Sequence, residues 1–399
     1  MKIIIVNDFG YVNGGASQVA INSAIGLSKR GYKIIFFSAV GPTDNRLSYS
    51  DNIEVINLGE KDILNNARAK AVFSGIWNLN AAKKMKELLQ NEDKDSTVVH
   101  LHSYTKALSG SIIQVIKKYG FRLIYHLHDY GLVCPNLGLY NYQKEQICNL
   151  EPMSFKCMCT NCDSRSYNHK LWRLGRQSVN DKIVKLREYV DTFISVSDFS
   201  YNILKESIKH AKNELVFNPI DVNEGEKVNA INSNQDIIFV GRLSKEKDPL
   251  IVAEACKRLS LPVVFVGEGD LEKEILRINP SAKITGWLEQ GEVIKRIKKA
   301  RVLIFSSKWY ETQGMVVPEA AAYGVPSVVA DTSAASDFIK PGLNGEHFKA
   351  GNVESLMSNL QKIYDNKIKE YSDNAYKMYW DNPYSFKNHL DKLENIYLN

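Results

Sequence analysis

No stretch of this 399-residue sequence reaches the roughly eighteen consecutive apolar residues that a membrane-spanning helix requires. The apolar opening Met1-Lys2-Ile3-Ile4-Ile5-Val6 stops at Asn7 and Asp8, short of a secretory signal core. Neither an export signal nor an anchor is read, so a cytoplasmic protein is expected. Low-complexity sequence is missing too: 44% of the residues are hydrophobic and 24% charged, the balance of ordinary globular domains. The first strand does not lead into Gly-x-Gly-x-x-Gly; Gly14-Gly15-Ala16-Ser17-Gln18 stands there instead, which argues against a nicotinamide-dependent oxidoreductase. The single Asp-x-Asp, Asp93-Lys94-Asp95, lies in a charged loop before a strand and reads as solvated rather than as a metal–diphosphate bridge.

What is present is a repeated alternation of short apolar runs with helical patterns. Residues 2–6, 33–38, 97–101, 122–127 and 192–196 read as strands, with a helix over 15–29. After Asn218-Pro219 a polar stretch over 223–235 reads as a linker or exposed loop. The pattern then restarts with strands over 236–240, 261–266, 302–305 and 326–330 and helices such as 249–259 and 293–300. The chain is too long for one core, and this alternation gives an α/β class with two Rossmann-like, doubly wound domains facing a central cleft. The expected division is 1–220, carrying a cysteine-rich insert over 130–165, then 221–382, then a terminal helix over 383–399 that can cap the second domain or cross back to the first.

Two segments of the second half carry chemistry. Gly241-Arg242-Leu243-Ser244-Lys245-Glu246-Lys247-Asp248-Pro249 follows a strand and precedes a helix with proline near its first turn. Arg242 and Lys247 beside a helix start suit a diphosphate, through charge-assisted hydrogen bonds and the partial positive charge of the helix end. Further on, Glu311-Thr312-Gln313-Gly314-Met315-Val316-Val317-Pro318-Glu319 spaces two carboxylates around a glycine. Gly314 lets backbone N–H groups approach a phosphate, and the carboxylates can accept hydrogen bonds from sugar hydroxyls.

Glu311 and Glu319, flanked by Pro318-Glu319-Ala320 and Gly324-Val325-Pro326, resemble the Glu-seven-Glu motif of the family-4 retaining glycosyltransferases (GT-B fold, glycosyl transferases group 1). The basic turn is similar to that family's diphosphate-binding turn, with Arg242 and Lys247 at its two cationic positions. The likeness extends to Gly14-Gly15-Ala16-Ser17 as the glycine-rich loop after strand one, to His126-Leu127-His128-Asp129 as the His-Asp turn, and to Val196-Ser197-Asp198. In Asn218-Pro219-Ile220-Asp221 the family's usual Pro-Asn-Gly order is not kept.

The resemblance implies transfer of a hexose or N-acetylhexosamine from a nucleoside-diphosphate sugar to a glycan acceptor, with retention at the anomeric carbon and no cofactor required for catalysis. It implies catalytic roles for Glu311, His128, Arg242 and Lys247. Donor binding would fall to Gly14, Gly15, Arg242, Lys247, Thr312, Gln313, Gly314, Met315, Val316 and Glu319. Glu311 would hold sugar hydroxyls, Glu319 the ribose and His128 the transferred sugar, while a phosphate oxygen of the leaving group takes the acceptor proton. A UDP-sugar is favoured as the commoner donor, with base recognition by loops such as Thr285-Gly286-Trp287. The alternatives are a GDP-mannose-dependent mannosyltransferase, a nucleotide-sugar epimerase of related fold, or a non-catalytic glycan-binding protein, although the last has little use for Glu311, Glu319, Arg242 and Lys247 together. The expected acceptor is a lipid-linked oligosaccharide of bacterial surface polysaccharide such as O-antigen; no nucleic-acid partner is expected.

Five of the six cysteines, Cys134, Cys148, Cys157, Cys159 and Cys162, fall in the insert. In a reducing compartment thiolate coordination competes with free thiols, and Cys148, Cys157, Cys159 and Cys162 could make a structural zinc site; Cys134 is assigned to the active-site wall. Between Arg165 and Arg187 stand Arg165, Lys170, Arg173, Arg176, Lys182, Lys185 and Arg187 against one acid, Asp181, with Trp172 among apolar residues at near-helical spacing. That segment reads as a solvated face over a core stripe, or as a face for peripheral membrane contact at the inner surface of the cell membrane.

Overall fold

The first strand, β1 (Lys2–Phe9), is buried on both faces. Ile4 and Val6 enter one core, while Ile3 and Ile5 enter another on the opposite side of the sheet. This is why the run is continuously apolar: a parallel sheet covered by helices on both sides offers no polar face. In the computed structural model, which describes residues 1–60 and 73–399, β1 is followed by β2 (Lys33–Val40), β3 (Ile53–Glu60), β4 (Thr97–Leu101), β5 (Arg122–Leu127), the short antiparallel pair β6 (Tyr140–Asn141) and β7 (Gln146–Ile147), β8 (Thr192–Ser195) and β9 (Lys212–Leu215). The main sheet has the order β3-β2-β1-β4-β5-β8-β9, all parallel.

The second sheet repeats the design. Strands β10 (Asp236–Val240), β11 (Val263–Val266), β12 (Lys283–Ile284), β13 (Ala300–Phe305), β14 (Ser327–Ala330) and β15 (Gly345–Phe348) run parallel in the order β12-β11-β10-β13-β14-β15. In both sheets the order reverses beside the first strand, and ligands of doubly wound folds bind at the carboxyl ends of the strands flanking that point.

The helix Phe386–Leu398 lies on the first sheet, not the second. Leu390, Leu393, Ile396 and Tyr397 join Ile3, Ile5 and Val98 in one core. His389 bridges Ser23 Oγ (3.0 Å) and the Phe217 carbonyl (3.0 Å), and Tyr397 Oη meets His100 Nδ1 at 2.7 Å. Arg122 donates to the last carbonyls of the helix, Tyr397 O at 2.9 Å and Ile396 O at 2.7 Å, which satisfies acceptors that a helix end leaves open.

The basic segment departs from the sequence reading. Lys170 and Arg176 are buried while Leu171 and Ile183 are exposed. Arg176 donates to the carbonyls of Thr105 (3.0 Å) and Pro135 (3.3 Å) and lies 5.3 Å from the Trp172 ring centroid; Arg173 pairs with Asp163 at 2.9 Å and Arg187 with Asp181 at 2.8 Å. Lys170, Arg173 and Arg176 thus turn inward onto cysteine sulfurs, the Asp163 carboxylate and backbone carbonyls, and the simple solvated-face reading is wrong for these three, while Arg187 stays partly exposed. Arg165, Lys182 and Lys185 stay exposed.

Leu393 is fully buried at the seam between the terminal helix and the first sheet. Leu393→Ala is expected to cost about 2–5 kcal/mol, read as a lower midpoint in denaturant unfolding; an unchanged midpoint would mean that the helix does not dock on the first domain in solution.

Candidate active site in the interdomain cleft

A cleft of about 1510 Å³ opens between the two sheets, lined by Gly14, Gln18, Asp221, Arg242, Glu268, Trp287, Met315 and Glu319 among others. Its walls come from the loops after β1, β10, β11, β12 and β13. Gly14 caps the helix Gly15–Lys29 with φ 137°, a conformation that favours glycine. A Cβ on Gly15 would lie 3.7 Å from Met315 Cε, so the two domains approach each other here.

The glycine loop is held from beneath by residues at the end of β1. Asn7 Nδ2 donates to Ser17 Oγ (3.1 Å) and Ser103 Oγ donates to Asn7 Oδ1 (2.7 Å). Buried Asp8 accepts from the backbone N–H groups of Lys106, Ala107 and Leu108 at 3.0, 2.8 and 2.9 Å. Burial raises its pKa, against the pull of those three donors.

In the second domain Glu311 is the best-satisfied carboxylate of the region. Its Oε1 accepts from Ser307 Oγ (2.9 Å) and Trp309 Nε1 (2.7 Å) and pairs with Lys247 Nζ. Burial works to raise its pKa, but Lys247 and these donors hold it below the usual carboxylate value. Lys247 also lies 5.6 Å from the Trp309 ring centroid. Glu319 differs: it lines the cleft, has no hydrogen-bond partner among the described residues, and burial pushes its pKa up to about 7.

Gly314 has φ 69°, and a Cβ there would stand 2.7 Å from Ala335 Cβ. Two constraints therefore select glycine at the entrance to the helix Val316–Ala322. The N–H groups of Gly314, Met315 and Val316 have no protein acceptor among the described residues, while Val317 N–H already closes on the Gly314 carbonyl at 3.1 Å.

His128, after β5, joins a stack of imidazoles. Its Nε2 meets His102 Nδ1 at 2.9 Å, and burial, with His389 nearby, holds its pKa at about 3. It is therefore a neutral hydrogen-bonding group and not a proton donor at neutral pH. His100, His102 and His126 place ring nitrogens within 4.8 Å of one another. The rings of His100 and His126 are stacked, 9° from parallel with centroids 5.5 Å apart.

This geometry meets the known proteins at the level of family. Residues 13–224, over half of the chain, match the family model Glycosyltransferase Family 4, and residues 221–378 match Glycosyl transferases group 1. The chain belongs to Glycosyltransferase Family 4, with a group 1 glycosyltransferase domain in its second half. A Klebsiella pneumoniae relative, an uncharacterized 42.6 kDa protein in cps region, is 23% identical over 81% of this chain and 83% of the relative. The lipopolysaccharide 1,6-galactosyltransferase of Salmonella typhimurium is 33% identical over 19% of this chain and 21% of its own. Sucrose-phosphate synthase from Thermosynechococcus elongatus superposes with a TM-score of 0.71 at 14% identity over 100% of this chain and 98% of its own. Anabaena HepE in complex with UDP-glucose gives 0.65 at 15%, covering 100% of both chains. The fold is GT-B.

Within this transferase, Gly14, Arg242, Met315 and Glu319 line the cleft, and Arg242 is largely exposed there, 3.9 Å from Glu246. Lys247 and Glu311 are brought into contact with each other, although the sequence suggested separate tasks for them. Thr312 Oγ1 donates to the His128 carbonyl across the domains (3.2 Å). Gln313 departs from the donor-binding expectation. Its buried amide forms a reciprocal pair with the backbone of Asn218, Nε2 to O at 3.0 Å and N to Oε1 at 2.8 Å, and so acts as a clamp between domains. Trp309, Ser307, Asn7 and Asp8 were not singled out from the sequence; Trp309, two residues before Glu311, was the one legible hint.

Gln313→Leu removes the clamp and leaves two buried backbone groups of Asn218 without partners. A loss of about 1–3 kcal/mol in denaturant unfolding is expected; full retention of stability would show that the clamp contributes nothing.

Proposed function

We propose that this transferase moves a hexose or N-acetylhexosamine from a UDP-sugar to a lipid-linked glycan acceptor in surface polysaccharide synthesis, with retention of configuration. The observation that carries the reading is the grouping of Arg242, the Lys247–Glu311 pair, the three open N–H groups at Gly314, Met315 and Val316, and unpartnered Glu319 around the carboxyl ends of β10 and β13. Relatives encoded in a cps region support the polysaccharide context. Neighbours solved with UDP or UDP-glucose favour uridine donors. Short matches to GDP-mannose-dependent alpha-mannosyltransferases, 31% identical over 107 residues, keep a guanosine donor as the second reading.

In this reading the diphosphate lies between Arg242 and Lys247 and against the open N–H groups, which stabilise charge as it develops on the leaving oxygen. Lys247 then divides its three donors between phosphate and Glu311, while Trp309 and Ser307 keep that carboxylate in place. Glu311 receives hydroxyls of the sugar and Glu319 those of the ribose, and Trp287, exposed on the cleft wall, offers a ring to the base. Neutral His128 hydrogen-bonds the transferred sugar. The acceptor attacks from the face the diphosphate leaves, and a phosphate oxygen takes the acceptor proton. Charge neutralisation of the leaving group thus falls to side chains and backbone, and no catalytic metal is assigned.

UDP at a hundred times its Kd is expected to stabilise the protein by about 2.7 kcal/mol, read as a rise in Tm that GDP does not match. A rise with GDP alone would move the donor to guanosine, and no rise with either would remove the cleft assignment. Lys247→Ala is expected to slow transfer on the order of 100-fold in a folded protein, and wild-type turnover in that variant would sink the proposed diphosphate site.

Glu319 supplies a pH test. With a pKa of about 7, it is mostly protonated below that pH, whereas ribose hydroxyls donate best to the ionised carboxylate. Donor affinity is therefore expected to rise as pH rises through 7 and to lose that dependence in Glu319→Gln. An equal pH profile in both proteins would exclude Glu319 from the donor.

A further inference from the structure

The insert contains a second constellation that the transfer reaction does not use. Cys134, Cys148, Cys157 and Cys162 line one small cavity together with Lys170, Leu139, Leu150 and Pro152. It leaves about 10 Å³ for the centre of a water-sized sphere, enough for one water or one ion. Cys159 is exposed on the helix Phe155–Cys159 and lines no part of it. The ligand set suggested by sequence spacing is therefore altered: Cys134 takes the place of Cys159.

Lys170 makes the cavity unusual. It is 1% exposed, and its Nζ lies 3.2 Å from Cys162 Sγ and 3.5 Å from Cys157 Sγ. Among the described residues its Nζ forms no ion pair with a carboxylate, and its hydrogen-bond partners are these two sulfurs. A buried ammonium without a counter-charge costs several kcal/mol. A divalent ion held by four cysteine thiolates supplies that counter-charge.

We infer that Cys134, Cys148, Cys157 and Cys162 bind one zinc ion as four thiolates, with Lys170 as the neighbouring cation that offsets the excess negative charge. Four thiols release four protons to solvent, and Zn²⁺ with four thiolates carries a charge of −2, which the Lys170 ammonium halves. The amide of Asn136, 3.7 Å from Cys162 Sγ and 2.7 Å from the Cys162 carbonyl, orients one ligand from outside. Among the described residues no three cysteine sulfurs lie within 4.8 Å of one another, so binding the ion requires the cysteine side chains to rotate into the cavity they line.

The ion has a structural task. The insert it closes lies against the second domain, where a Cβ on Gly138 would stand 3.1 Å from the Trp309 ring and Glu145 pairs with Lys245 at 2.6 Å. Trp309 is the residue that donates to Glu311. Zinc thus positions a strap behind Trp309 without touching the reacting groups.

Elemental analysis of the purified full-length protein is expected to give one zinc per chain. Cys134→Ser, Cys148→Ser, Cys157→Ser and Cys162→Ser lose it, and Cys159→Ser keeps it. Should the first four fail to fold, cobalt in place of zinc reads the ligands directly: an intense sulfur-to-cobalt charge-transfer band of a four-thiolate site is expected in the wild type and unchanged in Cys159→Ser. Wild-type protein that is metal-free as purified and gains no Tm from added zinc would overturn the inference, as would zinc lost from Cys159→Ser or kept by a folded Cys134→Ser. These readouts need no transfer assay, so they stand or fall apart from the donor assignment.

Discussion

Glu311 is a carboxylate held away from water, and the loops around it are arranged to meet its needs. Burying a charge of this kind costs several kcal/mol unless it is paired and hydrogen-bonded, and here one oxygen draws on Lys247, Trp309 and Ser307. Lys247 comes from the turn after β10, and Ser307 and Trp309 from the loop after β13. One ion pair therefore locks the two loops that flank the reversal point of the second sheet. Trp309, fixed by its hydrogen bond, becomes the surface on which the insert of the first domain rests.

The same economy governs how the two domains face each other. The chain crosses between them twice, near Pro219 and near Pro383, and the crossings lie side by side: Phe217 stacks on Tyr384 with centroids 4.3 Å apart, and Ile220 N–H donates to the Tyr384 carbonyl at 2.9 Å. The Asn218–Gln313 pair and the Thr312–His128 contact reinforce this edge. The remaining edge is left open as the cleft. The cleft is lined from both domains, so the terminal helix, remote from it, shapes it by holding the first sheet and the second crossing in one body.

Central strands such as β1, β4, β5, β10 and β13 were legible because burial on both faces demands uninterrupted apolar runs. The edge strands β9 (Lys-Asn-Glu-Leu) and β15 (Gly-Glu-His-Phe), and β3 with its polar alternation, escaped because an edge needs neither. The motif residues were legible by spacing, but their pairings were not. That Gln313 serves Asn218 rather than a ligand, or that Lys247 rests on Glu311, depends on side-chain rotamers and on which backbone groups are left without partners. The basic segment misled for the same reason, since cations were read as surface until the carbonyls and sulfurs of an irregular insert were found to need donors.

Glu311, in the loop after β13, and Glu319, in the helix that follows, show how far environment divides two identical side chains. Both are partly buried, yet one is held below its ordinary pKa and the other pushed to about 7. The difference is the partner set: a cation and two neutral donors for the first, none for the second. At Glu311 the three protein donors converge on Oε1, so a ligand meets a carboxylate that is already charged and held in place. At Glu319 it supplies the donors that the protein withholds, and that missing set is where hydroxyl groups of an incoming molecule gain most.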